Sequence, residues 1–353
     1  MSTGSNLIFV ISQPRAGSTL LQRILAAHPA IHTASEPWIA LHPLFALRPE
    51  GVSCNYSHAL ARNATLEFLS QLPGGQDSYY EGVRRMLGHL YECALAGSQK
   101  TIFLDKTPRY YFIISELRRT FPEARFVFIL RNPLAVFSSM METWVKGIYF
   151  GKLCSLRNDL VHDLLTAPDL IMNGIRDFGP DAAVLRYEEL AVTPDAAVRR
   201  LCRDLAIDFH PGMIDYGTEG RNLERWSYGD QGTVYSEQRP IGDRAERWQQ
   251  VLRNSSPWMN LAKGYLLALG RRLIVEMGYD YGELKSILGI PDEDADCPEF
   301  LATAVLNHAY GETRDFVYQL QYFQKLVAEH NAANERIKSA EMTVKIGKLA
   351  SGA

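Results

Sequence analysis

Near the start of the chain, Leu7 to Ser12 (LIFVIS) runs apolar and β-branched without a break and stops at Gln13-Pro14. A run that never alternates with polar residues needs cover on both faces, the condition of a strand inside a parallel sheet. Ser18 to Ala27 follows with Leu20, Leu21, Ile24 and Leu25 at helical spacing, so the chain opens as strand, tight loop, helix. The pattern then returns. Thr101 to Leu104 (TIFL) reads as a strand followed by a DKTP loop, a helix near Tyr111 to Phe121, and a strand at Arg125 to Leu130 (RFVFIL). Another strand lies at Ala182 to Tyr187 (AAVLRY). Thr193-Pro194 then starts a helix, with Thr as N-cap and Pro in the first turn. Strands separated by helices predict an α/β three-layer sandwich, a central and mostly parallel sheet flanked by helices. Ligands of such sheets bind at the carboxyl ends of the strands.

Residues 1–290 read as the main domain, with a helical insertion at about 45–100 laid over one face of the sheet. Pro291 to Glu299 (PDEDADCPE) is an acidic, proline-bounded break before a C-terminal helical extension, 291–353. There Phe316, Leu320, Phe323 and Val327 form a helical stripe suited to docking on the body or on a second copy; the latter would make a homodimer through the C-terminal helices. The formal net charge of −3 gives no global attraction to nucleic acid or acidic membrane, so any anion site must be a local cluster. No stretch approaches the roughly 18 apolar residues of a membrane span. The five cysteines form no CxxC pair, and the first residues lack the basic segment of an export signal. A soluble, cytoplasmic protein is expected.

The loop Gln13-Pro14-Arg15-Ala16-Gly17-Ser18-Thr19-Leu20 delivers a helix N-terminus, whose N–H groups and positive dipole end hold phosphate or sulfate. Gly17 permits close approach, Ser18 and Thr19 add hydroxyls, and Arg15 can fork across two anionic oxygens. This is not a Walker A loop: Ser18 stands where that motif has lysine, and the cation precedes the glycine. A second anion site is readable in RFVFILRNPLAVFSSM, where Arg131 leaves a buried strand and Ser139 follows on the next helix.

PRAGSTLL after the first strand, with RNPLAVFSS after a later one about 115 residues on, resembles the two nucleotide motifs of sulfotransferases that use 3′-phosphoadenosine 5′-phosphosulfate (PAPS). The resemblance covers roughly residues 5–250. It implies PAPS as co-substrate with no metal, Arg15, Ala16, Gly17, Ser18, Thr19 and Leu20 around the 5′-phosphosulfate, and Arg131 and Ser139 on the 3′-phosphate. It also implies Tyr187, in LRYEEL, near the adenine. Ala27-His28-Pro29 followed by Glu36 is similar to the spacing of the tyrosylprotein-type and bacterial branch, in which a glutamate is the base. Glu36 is therefore the base candidate, with His32 and His42 as rivals. That branch carries arginine where this chain has Trp38, so a carbohydrate or natural-product hydroxyl is expected ahead of a tyrosine in an acidic peptide. Asp105-Lys106-Thr107-Pro108 resembles the lysine loop of the family, which assigns Lys106 to the transferring sulfonate. Arg239-Pro240 before Trp248 is similar to a Lys-Pro of that branch; Arg239 would close over the nucleotide, with Ser227 assisting.

The implied reaction is in-line attack of an acceptor hydroxyl on sulfur, with Glu36 as base and Arg15 and Lys106 holding the developing charge. Two other readings compete. A P-loop kinase using ATP and magnesium would place Asp105 at the metal, and the missing Walker lysine speaks against it. A non-catalytic phosphate-binding scaffold would have no need of Arg15, Glu36, Lys106, Arg131 and Ser139 together.

Overall fold

The all-buried run LIFVIS forms the central strand of the molecule. The computed structural model describes residues 4–145, 162–217 and 237–291. In chain order the elements are β1 (Leu7–Ser12), α1 (Ser18–Ala26), β2 (Ile31–Thr33), α2 (Leu41–Phe45), α3 (His58–Ser70), α4 (Gln76–Ala96) and β3 (Ile102–Lys106). A 3₁₀ turn at Pro108–Ile113 leads to α5 (Ile114–Thr120), β4 (Arg125–Leu130) and α6 (Pro133–Met140). Then come α7 (Ala167–Phe178), β5 (Ala182–Arg186), α8 (Tyr187–Val192), α9 (Pro194–Asp204), α10 (Arg247–Arg253), α11 (Ser256–Glu276) and α12 (Tyr281–Leu288). The chain divides into two compact units, Met1–Asn132 with Thr166–Ala245, and Pro133–Leu165 with Glu246–Ala353.

The first unit holds a five-stranded sheet in the order β2-β3-β1-β4-β5, every pairing parallel. Alternation divides the side chains between two layers. On one face Ile8, Val10, Leu104, Val127 and Ile129 join Leu21, Ile24 and Leu25 of α1 and Val198 and Leu201 of α9. On the other, Phe9 lies among aromatic rings, with centroids 6.3 Å from Tyr91, 5.7 Å from Phe121 and 5.3 Å from Phe126. Tyr91 of α4 also packs 4.9 Å from Phe103, which seats α4 on this face. The sandwich expected from the alternation of strands and helices is therefore present. In the second unit α6 packs on α10 and α11, with Phe137 stacked on Tyr265 at 5.3 Å.

Several local readings are corrected. β2, three residues long, carries too little pattern to be read. β3 runs two residues past TIFL, so Asp105 and Lys106 belong to the strand rather than to a loop, because each pairs in register with β1. Tyr187 opens α8 instead of ending β5. Pro194 begins α9 as expected, but Thr193 makes no side-chain cap; its hydroxyl donates to the Glu189 carbonyl of the preceding helix at 3.2 Å. Ser227 and the stripe from Phe316 to Val327, on which the homodimer expectation rests, lie outside the described residues.

Phe9 is fully buried among large neighbours that cannot collapse into its space. Phe9→Ala is expected to cost about 3–5 kcal/mol, the range for emptying a buried aromatic site, read as a lowered urea midpoint with an unchanged slope.

Candidate active site

From β1 the chain moves through α1 to β2 on one side of the sheet, and from β4 it moves to β5 on the other. The reversal falls between β1 and β4. A crevice opens at the carboxyl ends of the strands flanking such a reversal. Both predicted anion motifs leave the sheet there, and the register Ser12↔Ile129 sets the two strand ends nearly level. Arg131 Nη1 donates to the carbonyl of Arg15 at 2.8 Å, so the second motif holds the backbone of the first. The same guanidinium lies 4.0 Å from the centroid of the Tyr187 ring. Tyr187 in turn closes on Gly17: a Cβ on that glycine would stand 2.3 Å from the ring, and its φ of +93° is in the left-handed region. Only glycine satisfies both conditions. Burial pushes the Tyr187 phenol up, with Arg131 opposing. The N-cap of α1 is Gly17, which has no side chain to cap the helix, and the first turn holds no acidic residue. That end of the helix presents its N–H groups and positive potential, an arrangement that fits a phosphate or sulfate group.

Glu36 and Lys106 come together as an ion pair at 2.5 Å, 8% and 1% exposed. The pairing Val10↔Lys106 puts the lysine on the α1 face of the sheet, two positions before β1 ends. The segment carrying Glu36 is tied down from both ends. On its far side, the Trp38 indole donates to Glu36 Oε2 at 3.2 Å, and the Trp38 amide donates to Thr107 Oγ1 at 3.2 Å. On its near side, Gln22 of α1 sends Nε2 to Thr33 Oγ1 (2.9 Å), to the Ala34 carbonyl (2.5 Å) and to the Ser35 carbonyl (2.9 Å). Sequence reasoning passed over Gln22. The available signal was a carboxamide on the stripe Ser18, Leu21, Leu25, where the helix faces the core.

Asp105, next to Lys106, points to the opposite face. Its buried carboxylate accepts from Tyr91 Oη (2.6 Å), Tyr110 Oη (3.0 Å) and Thr107 Oγ1 (3.1 Å). These oxygens are committed to hydroxyl donors on the side away from the loop, which removes the geometry that a magnesium-bound Asp105 requires. Among the described residues no group of three or more His, Cys, Asp and Glu is placed to hold a metal ion. Of the remaining candidates, Ser139 lies on α6 in the second unit. Arg239 is largely exposed, 3.8 Å from Asp215. His32 packs edge-on against Phe103 at 5.8 Å and is held down by burial, while His42 is exposed on α2.

A parallel sheet of this order, with a glycine-bearing loop leading into a helix at its switch point, defines a P-loop-like α/β fold. The family model described as the sulfotransferase family matches residues 7–211, and the chain belongs to that family. It is 29% identical over 296 residues to the nodulation protein NoeE of Sinorhizobium fredii, covering 78% of this chain and 66% of that protein. It is 29% identical over 164 residues to the omega-hydroxy-beta-dihydromenaquinone-9 sulfotransferase Stf3 of Mycobacterium bovis, covering 44% of this chain and 40% of that protein. The chain thus spans just under two thirds of the first relative's length and less than half of the second's. The sulfotransferase domain from the curacin biosynthetic pathway shares the fold, with a TM-score of 0.51, 19% identity, and coverage of 77% of this chain and 97% of that one.

Burial pushes the Asp105 carboxyl up from 3.8 to about 6, with the three hydroxyls opposing. A folded-state pKa above the unfolded one gives a contribution that is full below about pH 4 and is lost as pH rises through about 6. Asp105→Asn removes this dependence. Wild-type stability measured against the variant is therefore expected to fall by about 2 kcal/mol from pH 4 to pH 7, at about 1.4 kcal/mol per unit between the two pKa values. Urea midpoints at successive pH values check it, and a constant difference would contradict it.

Proposed function

We propose that this chain transfers the sulfonate of PAPS to an acceptor hydroxyl, with Glu36 as the base. The observation that carries the reading is the buried Glu36–Lys106 pair on the α1 face, beside the strand that feeds the Arg15 loop. A carboxylate and an ammonium in contact, both shielded from water, are the two groups that sulfonyl transfer requires: an acceptor for the hydroxyl proton and a cation for charge on the sulfonate oxygens. Arg15, Ala16, Gly17, Ser18, Thr19 and Leu20 cradle the 5′-phosphosulfate against the positive end of α1. Arg131 supports that loop and takes the 3′-phosphate. Tyr187 lines the adenosine side, and Arg239 closes over the nucleotide. Fixed cations and amides take the electrostatic role that a metal has in phosphoryl transfer.

On the acceptor side, Glu36 draws the proton from the attacking hydroxyl as its oxygen bonds to sulfur; the bond from sulfur to the 5′-phosphate oxygen breaks, adenosine 3′,5′-bisphosphate leaves, and Lys106 turns to the sulfonate oxygens. Trp38, hydrogen-bonded to Glu36 through its indole, stands where the tyrosylprotein-type branch carries an arginine, which favours an acceptor other than an acidic peptide. The substrate named for Stf3, an omega-hydroxylated dihydromenaquinone, is a hydroxyl on a natural product, and supports a carbohydrate or natural-product acceptor for this chain.

A transfer screen with [35S]PAPS across sugar, phenolic and aliphatic hydroxyls tests the reading. Glu36→Gln is expected to lower turnover by about 10²–10⁴, the range for losing a positioned base, with affinity for adenosine 3′,5′-bisphosphate kept within a few-fold. Arg131→Ala is expected to weaken that affinity about 10-fold or more, as loss of a charge-assisted hydrogen bond of about 1.5–3 kcal/mol does. Wild-type turnover in Glu36→Gln would remove it from the chemistry, and competition by ATP with magnesium at equal strength would remove PAPS as the donor.

A further inference from the structure

The donor loop and the base sit on separate segments, and the reaction needs a fixed distance between them. Helix α1 begins at the donor loop, and one side chain on it reaches the base segment. We propose that Gln22 is a positioning residue whose carboxamide fixes the segment carrying Glu36 relative to the donor loop at the start of the same helix. The inference rests on the reading of Glu36 as base and of residues 13–20 as the donor loop.

Gln22 is fully buried on a stripe otherwise made for packing, so leucine would fill the place as far as the core is concerned. Its Nε2 has three acceptors within 2.9 Å, two of them the consecutive carbonyls of Ala34 and Ser35. β2 ends at Thr33, so those carbonyls have left the sheet ladder and need donors from elsewhere. The orientation of the amide is settled by chemistry: turned over, its oxygen would face two carbonyl oxygens. In the orientation it takes, Oε1 is buried and finds no hydrogen-bond partner among the described residues. The position thus leaves one acceptor unmet while placing its donors on a single loop, which fixes that loop against α1. The next residue along is Glu36. The position is one turn of helix from Ser18, and a helix is stiff over that distance, so a displacement of the donor loop is passed to the base segment through this contact.

Amide hydrogen exchange on the full chain, with and without adenosine 3′,5′-bisphosphate, tests this without knowledge of the acceptor. In wild type the nucleotide is expected to slow exchange at least fivefold in peptides covering 13–20 and also in those covering 33–38. In Gln22→Met, close in length but without polar atoms, protection of 13–20 is expected to stay while that of 33–38 falls below twofold, at an affinity for the bisphosphate within threefold of wild type. Should Gln22→Met fail to fold, Gln22→Asn, one methylene short, is read in the same way. Full nucleotide-dependent protection of 33–38 in the variant overturns the positioning role, as does its absence in wild type. If the nucleotide protects neither segment of wild type, the donor-loop reading itself has failed, and the inference goes with it.

Discussion

The guanidinium of Arg131 organises the first unit's ligand-facing edge. It emerges from the strand next to β1, donates to the backbone of Arg15 and lies over the Tyr187 ring that closes on Gly17. Three stretches far apart in sequence are held by one planar cation with five donors, a task lysine cannot perform because its ammonium neither forks nor stacks. The position follows from topology: with β4 paired to β1, the residue after β4 must stand beside the loop after β1. The loop is thereby shaped by the protein before any anion arrives, which lowers the cost of ordering it on binding.

At the end of β3, adjacent residues serve opposite faces of the sheet. Lys106 turns to the α1 side and meets Glu36, and Asp105 turns to the aromatic side and gathers three hydroxyls. Thr107 joins the two, donating to Asp105 and accepting from the amide of Trp38. The buried Asp105 carboxylate thus anchors, through Thr107, the segment that carries Glu36.

Much of this was legible in residue order. Continuous apolar runs revealed β1 and β4, and the cations placed just after them, Arg15 and Arg131, marked two loops that the structure brings into contact, because burial on both faces and charge at a strand end leave strong local patterns. β2 was not legible, since three residues show no period and its pairing depends on β3. The strand character of Asp105 and Lys106 was hidden for a related reason: two charged residues read as loop until register with β1 buries them. Gln22 was visible as a polar residue on an apolar stripe, but its partners lie eleven to thirteen residues away, beyond any helical periodicity.

Among the described residues four non-glycine positions have positive φ, and two of them, Arg15 at 67° and Trp38 at 59°, stand in the loop after β1 and in the segment that carries Glu36. Side chains other than glycine hold such angles at a cost of about 1 kcal/mol or more. Glycine would relax either backbone, and it would also remove the cation from one loop and the indole from the other. With donor and base held by these loops as proposed, thermal robustness and turnover are opposed at these two sites, and a search for hardier variants that scored melting temperature alone would drift toward an inactive protein.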